Sequence, residues 1–310
     1  MPLSLAAVLP ALSASTALAA YLALIAAAAF AGGSSMALLT LSHRMTQVLL
    51  SFTGGVLLGV GMLHLVPHAA MELRGDLDTT MGWALGGFFV MFLLERAFHA
   101  HAHHAADSGC SHEHAHHHHE HHGHHDNHHH HDAPPARRSR WAWCGALAGL
   151  ALHSLADGAA LAASVGADAV HGGSPLPGFA TFLAILLHKP LDAAIIATLM
   201  LEARASHRLR TLVNLGYAAV VPIGAAGFFA SLSLFGGQEQ LILGAALAVA
   251  GGAFICIAAA DLLPEVQFHS HDRVLLTTAL VLGLGLAWGI TIVERGSHDH
   301  ATHGHPAAPL

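Results

Sequence analysis

The chain has 310 residues, 54% of them hydrophobic and 10% charged, with a mean hydropathy of +0.55. That leaves too little polar surface for a soluble globule of this size, and it places the chain in lipid. The formal net charge of −7 counts histidine as neutral, and with 31 histidines present the charge near neutral pH follows metal and proton loading. Neither a nucleic-acid surface nor an acidic partner is implied. The three cysteines, Cys110, Cys144 and Cys256, give no even framework for secreted disulfides.

No Lys or Arg precedes Arg44, so the apolar first thirty residues lack the basic start of a secretory signal. They read as a tail and a first span, although Ala17-Leu18-Ala19 mimics a cleavage site. A bilayer crossing takes about twenty apolar residues. Eight stretches meet that length, at 16–40, 46–69, 80–98, 141–165, 177–201, 211–235, 240–265 and 273–294. The expected fold is therefore all-α, a polytopic membrane protein of eight transmembrane helices. Short connections such as Gly172-Gly173-Ser174-Pro175 and Gly236-Gly237 mark helix ends.

By organisation, 1–98 holds helices one to three, 99–140 a His-rich loop, 141–201 helices four and five, 202–294 helices six to eight, and 295–310 a His-containing tail. Between His99 and His131 lie 18 histidines with Asp, Glu and Cys110, a composition that cannot bury a core and reads as disordered. Imidazoles at that density compete for Zn, Cu or Ni, so the loop suits a metal buffer or sensor, against the plainer reading of a solvated linker. Eight spans put Arg44, Arg96, Arg137, Arg138, Arg140, Arg204, Arg208, Arg210 and Arg273 on one side and Arg74 and Arg295 on the other. The basic side is the cytoplasmic one, so both termini are expected outside a cell (inner) membrane and the His-rich loop inside.

At an offset of 197 the second and seventh spans align. Gly54-Gly55 falls on Gly251-Gly252, His64 on Asp261, Pro67 on Pro264 and His68 on Glu265. The two spans run in opposite directions, so the copies form an inverted repeat around central helices four and five, as in secondary transporters.

The fourth span contains His153-Ser154-Leu155-Ala156-Asp157 and the fifth His188-Lys189-Pro190-Leu191-Asp192. A spacing of four puts each His and Asp on one helix face, one turn apart. Two such helices face to face offer four ligands, His153, Asp157, His188 and Asp192. Mixed imidazole and carboxylate donors suit Zn²⁺ well and Fe²⁺ or Mn²⁺ acceptably. Asp157, Lys189 and Asp192 lie near span midpoints, where an unpaired charge costs about 2.5–3.5 kcal/mol. An Asp–Lys189 ion pair that only pins the helices would explain two charges and neither histidine. Pro190 frees a carbonyl one turn earlier, near Leu186, which either helps solvate an ion or merely bends the helix. His64 and His68 form a further ligand pair at the outer end of span two, and Asp261 and Glu265 one at the inner end of span seven. Ser154 adjoins His153, but helix neighbours point apart, so no nucleophile and base are paired and hydrolase chemistry is not expected.

On these motifs the chain resembles the ZRT/IRT-like (ZIP) metal transporters over essentially its whole length. The resemblance implies eight spans, outside termini, a His-rich cytoplasmic loop between spans three and four, and ligands on spans four and five at His153, Asp157, His188 and Asp192. It also implies transport into the cytoplasm. Where family members hold a second metal, this chain has Ser154 and Lys189 and no acid between Thr211 and Phe235, which points to one metal with Lys189 supplying a fixed positive charge. The expected function is a carrier of a divalent metal, Zn²⁺ before Fe²⁺, Mn²⁺ or Cd²⁺, with the ion and the bilayer as partners and a homodimer left open. His64 and His68 would receive the ion, and Asp261 and Glu265 release it. A membrane metalloenzyme, a metal-sensing receptor and a cation-diffusion-facilitator exporter are the alternatives.

Overall fold

The computed structural model describes residues 13–35, 43–106, 142–171, 176–268 and 273–302, with side chains left out at 43, 97–106, 142, 171, 261–268 and 295–302. Every regular element among them is helical. In chain order these are α1 (Ala14–Ser35), α2 (His43–Val60, resuming at Val66–Glu72), α3 (Leu77–Ala106), α4 (Ala142–His171), α5 (Phe179–Glu202), α6 (His207–Ala218 and Val220–Leu234), α7 (Glu239–Phe268) and α8 (Arg273–Thr302). Each contains a segment long and apolar enough to cross a membrane, so the protein is a polytopic integral membrane protein. Helices are the natural solution there, because a helix satisfies its own backbone polar groups where water is absent.

Local sequence explains the boundaries. Asp76 caps α3, its carboxylate accepting the Thr79 N–H at 3.0 Å and the Thr79 hydroxyl at 2.7 Å. Gly178, with φ of 73°, turns the chain into α5, and its N–H donates to the Asp168 carboxylate at 2.7 Å. Ser206 caps α6 by accepting the Leu209 N–H. α2 contains a π-turn over Gly61–Leu65, in which the Val66 N–H reaches back to the Gly61 carbonyl. Pro67 lies just beyond and has no N–H to give, so the helix widens by one residue in the turn before it. Several helices outrun their expected ends, α4 to His171 among them. α3 continues to Ala106, past residue 99 where the His-rich loop was expected to begin, and α8 continues to Thr302. Residues 107–141, with most of that loop, lie outside the described residues.

The packing repeats itself under inversion. Besides α2 against α7, the most extensive helix contacts are α2 with α8, α3 with α7, α1 with α5, and α4 with α6. Exchanging α1 with α6, α2 with α7, α3 with α8 and α4 with α5 maps these four pairs onto one another. The alignment of span two on span seven shows its use at Gly55 and Gly252. A methyl group on Gly55 would fall on the carbonyl oxygen of Leu280 in α8, and one on Gly252 on that of Ala84 in α3. Lipid offers apolar side chains no gain in leaving it, so membrane helices associate through such close small-residue contacts. Large apolar residues such as Leu85, Leu212, Val274 and Val293 remain exposed on the outside of the bundle, as a lipid-facing surface requires.

Candidate metal centre

α4 and α5 meet near their middles, and each presents its His and Asp to the other. The His153 Nε2 lies 3.3 Å from Asp157 Oδ2 and 3.9 Å from Asp192 Oδ2. The His188 Nε2 lies 3.4 Å from Asp157 Oδ2 and 4.0 Å from Asp192 Oδ2. The two rings stand 5.4 Å apart. His153, His188 and Asp192 each present a ligand atom within 4.8 Å of the others, and Asp157 Oδ2 lies against both imidazole nitrogens. The ring Nδ1 of His188 donates to the Ala184 carbonyl at 2.8 Å, which leaves Nε2 as the lone-pair nitrogen aimed at the carboxylates.

Lys189 is fully buried, and its ammonium contacts Asp157 Oδ2 and lies 2.9 Å from Asp192 Oδ2. Both expected charge pairings thus form at once, on the same oxygens that face the histidines. Ser154 turns away from this point. Its hydroxyl donates to the Leu150 carbonyl at 2.7 Å and sits 3.0 Å from the Tyr217 hydroxyl, which donates to Asp192 at 3.2 Å. Ser154 therefore belongs to the layer behind the ligands. Tyr217, the α6 residue that steadies Asp192, escaped the sequence reading; its only signal is a phenol in an otherwise apolar stretch of span. Pro190 packs its backbone against Gly32 of α1, where a Cβ would meet the Pro190 carbonyl.

A second cluster forms around His64 and His68, whose rings are 4.4 Å apart. His64 Nδ1 lies 3.0 Å from Glu294 Oε2 of α8, and its Nε2 lies 3.3 Å from the Ser164 hydroxyl. His68 Nδ1 lies 3.4 Å from Asp168 Oδ1, and Thr181 donates to Ser164 at 2.9 Å. His64, His68 and Asp168 each present a ligand atom within 4.8 Å of the others. Asp168 and Glu294 were not singled out from the sequence. Asp168 had a signal, since His153, Asp157, Ser164 and Asp168 recur at steps of four, seven and four along one face of α4. Glu294 had none, because only tertiary packing brings α8 to His64. The side chains of Asp261 and Glu265 lie outside the described residues.

Seven residues of α4 separate Asp157 from Ser164, about 10 Å along the helix axis. Between the two clusters Leu57, Val60, Ala160, Leu161, Ala184 and Ile185 are at most 1% exposed and pack as an apolar layer. Near the start of α6, a cavity of about 260 Å³ between α1, α5 and α6 is lined by Tyr217, Asn214, Arg210 and His207. Tyr217 links it to the central cluster through its hydrogen bond to Asp192, the most exposed of the four predicted ligands.

The family model described as ZIP Zinc transporter matches residues 6–292. The chain belongs to the ZIP zinc transporter family. It is similar to the human zinc transporter ZIP1, at 24% identity over 78% of this chain and 77% of that one. It is similar also to the rat zinc transporter ZIP4, at 27% identity over 82% of this chain. It spans 43% of the ZIP4 length. As a ZIP family member the chain is a metal transporter rather than an enzyme, which removes the metalloenzyme and the cation-diffusion-facilitator exporter from consideration.

Proposed function

We propose that this chain carries zinc across the membrane into the cytoplasm, binding it at His153, Asp157, His188 and Asp192. The observation that carries this reading is the buried cluster between α4 and α5, in which the His153 and His188 nitrogens each face carboxylate oxygens of Asp157 and Asp192. Two nitrogens and two oxygens make a four-donor set of the kind Zn²⁺ takes, with bonds of about 2.0–2.2 Å. Fe²⁺, Mn²⁺ and Cd²⁺ rank behind it.

His64, His68, Asp168 and Glu294 form the receiving station on the outer side, and the apolar layer between the stations closes the path. Rocking of one inverted repeat against the other opens that layer and passes the ion to the central cluster. From there the path leads past Asp192, whose partner Tyr217 lines the cavity beside α6, and Asp261 and Glu265 of α7 supply acids toward the inner side. The excess of arginine on the α6 side of the bundle supports a cytoplasmic inner face, with both termini outside and the His-rich segment in the cytoplasm. Cells expressing the chain should gain zinc when it is supplied outside, and cysteine-labelling at residue 138 should be blocked in intact cells. A fall in cell zinc would reverse the assigned direction.

A further inference from the structure

Resting on the carrier reading above, we infer that the Lys189 ammonium is a tethered counter-ion that lets the empty carrier cross between its two conformations. The ammonium touches the same two oxygens, Asp157 Oδ2 and Asp192 Oδ2, on which His153 and His188 converge. A zinc ion bound by these carboxylates shares their lone pairs with the ammonium or pushes it aside toward Tyr217. In both cases the lysine stays in a fully buried cluster.

Formal charge shows what the lysine accomplishes. The imidazoles ligate as neutral rings. The cluster holds two carboxylates and one ammonium, a charge of −1 when empty and +1 with zinc bound. Without the lysine those values are −2 and 0. The cost of holding charge in a low-dielectric interior grows with the square of the charge. With Lys189 the empty and loaded forms are therefore about equally expensive to move. Without it the loaded form moves freely and the empty form is trapped by its doubly charged site. A pin between helices would not need this balance, and it would not need to sit on the oxygens that the ion uses.

Net uptake requires the empty carrier to return, whereas exchange of labelled zinc between two zinc-filled sides does not. Full-length protein in liposomes separates the two fluxes with zinc alone as the probe. Lys189→Gln is expected to bind zinc at least ~10-fold more tightly and to lower the ratio of net uptake to exchange by a similar factor. Lys189→Arg, which keeps the charge, retains the wild-type ratio. Asp192→Asn moves the count the opposite way, to 0 empty and +2 loaded, so it slows the loaded step and raises the ratio. It reports independently if Lys189→Gln does not assemble. A ratio that Lys189→Gln and Asp192→Asn leave unchanged, or shift in the same direction, overturns the inference. A wild-type protein that shows neither flux overturns the carrier reading instead.

Discussion

Replacing Tyr217 by Phe tests whether the layer behind the ligands contributes to binding. The ring stays in place among Trp143, Ala193, Ile196 and Met200, so no cavity opens. Only the hydroxyl goes, and with it the 3.2 Å hydrogen bond to Asp192 and the 3.0 Å contact with Ser154. Ser154 keeps the Leu150 carbonyl at 2.7 Å, so it is not stranded. What is lost is one hydrogen bond to a charged acceptor, worth roughly 1.5–3 kcal/mol, and its length places it at the lower end. About 1.5 kcal/mol is close to a factor of ten, which is also the lower range for losing a group that orients a metal ligand. Zinc binding to purified protein, measured by calorimetry, should therefore weaken about tenfold in Tyr217→Phe. Ser154→Ala, which removes a group one step further back, should weaken it less. Equal affinities for Tyr217→Phe and wild type would refute the idea that α6 holds Asp192 in its liganding position.

At the proposed receiving station, Asp168→Asn and Glu294→Gln keep the shape but remove a charge beside His68 and His64. Each should raise the KM for zinc uptake roughly tenfold while the maximal rate stays nearly the same. A matched fall in both variants' maximal rates with KM unchanged would speak against a receiving role. Gly252→Val and Gly55→Val drive side chains into backbone of the facing helix, and each should destabilise the bundle by at least about 1–3 kcal/mol in thermal melts. Gly82→Ala, whose methyl meets nothing within 4 Å, should be neutral. Outside the spans, the Thr79 N–H and hydroxyl hold the Asp76 pKa below the usual carboxylate value. A depressed folded pKa means that the cap stabilises α3 above the ordinary carboxylate range and stops doing so as pH falls through the folded value. The melting temperatures of wild type and Asp76→Ala should thus differ at neutral pH and converge in acid.

The spans and the central quartet were legible because each rests on a short-range rule. Twenty apolar residues fix a crossing, and a spacing of four puts His153 with Asp157 and His188 with Asp192 on shared faces. The repeat was legible in matched glycines and prolines, and Gly55 and Gly252 now show the reason, since each is where a neighbouring backbone comes closest. The proposed receiving station was only half visible. His64 and His68 are neighbours in one span, but their carboxylates come from α4 and α8, 100 or more residues away, and no local spacing encodes such a meeting. Asp168 was missed because the fourth span was ended at 165, which cut it from the polar stripe that begins at His153. Lys189 was read correctly as a buried charge, yet its choice of partner was not decidable, because either carboxylate lay within reach of the helix face. The structure gives it both.

Zinc flux into liposomes containing wild-type protein or the double variant Asp157→Ala/Asp192→Ala bears most directly on the site. With assembly of the variant verified by its melting curve, its flux should drop to the leak of protein-free vesicles. A flux equal to that of wild type would show that the ion passes elsewhere.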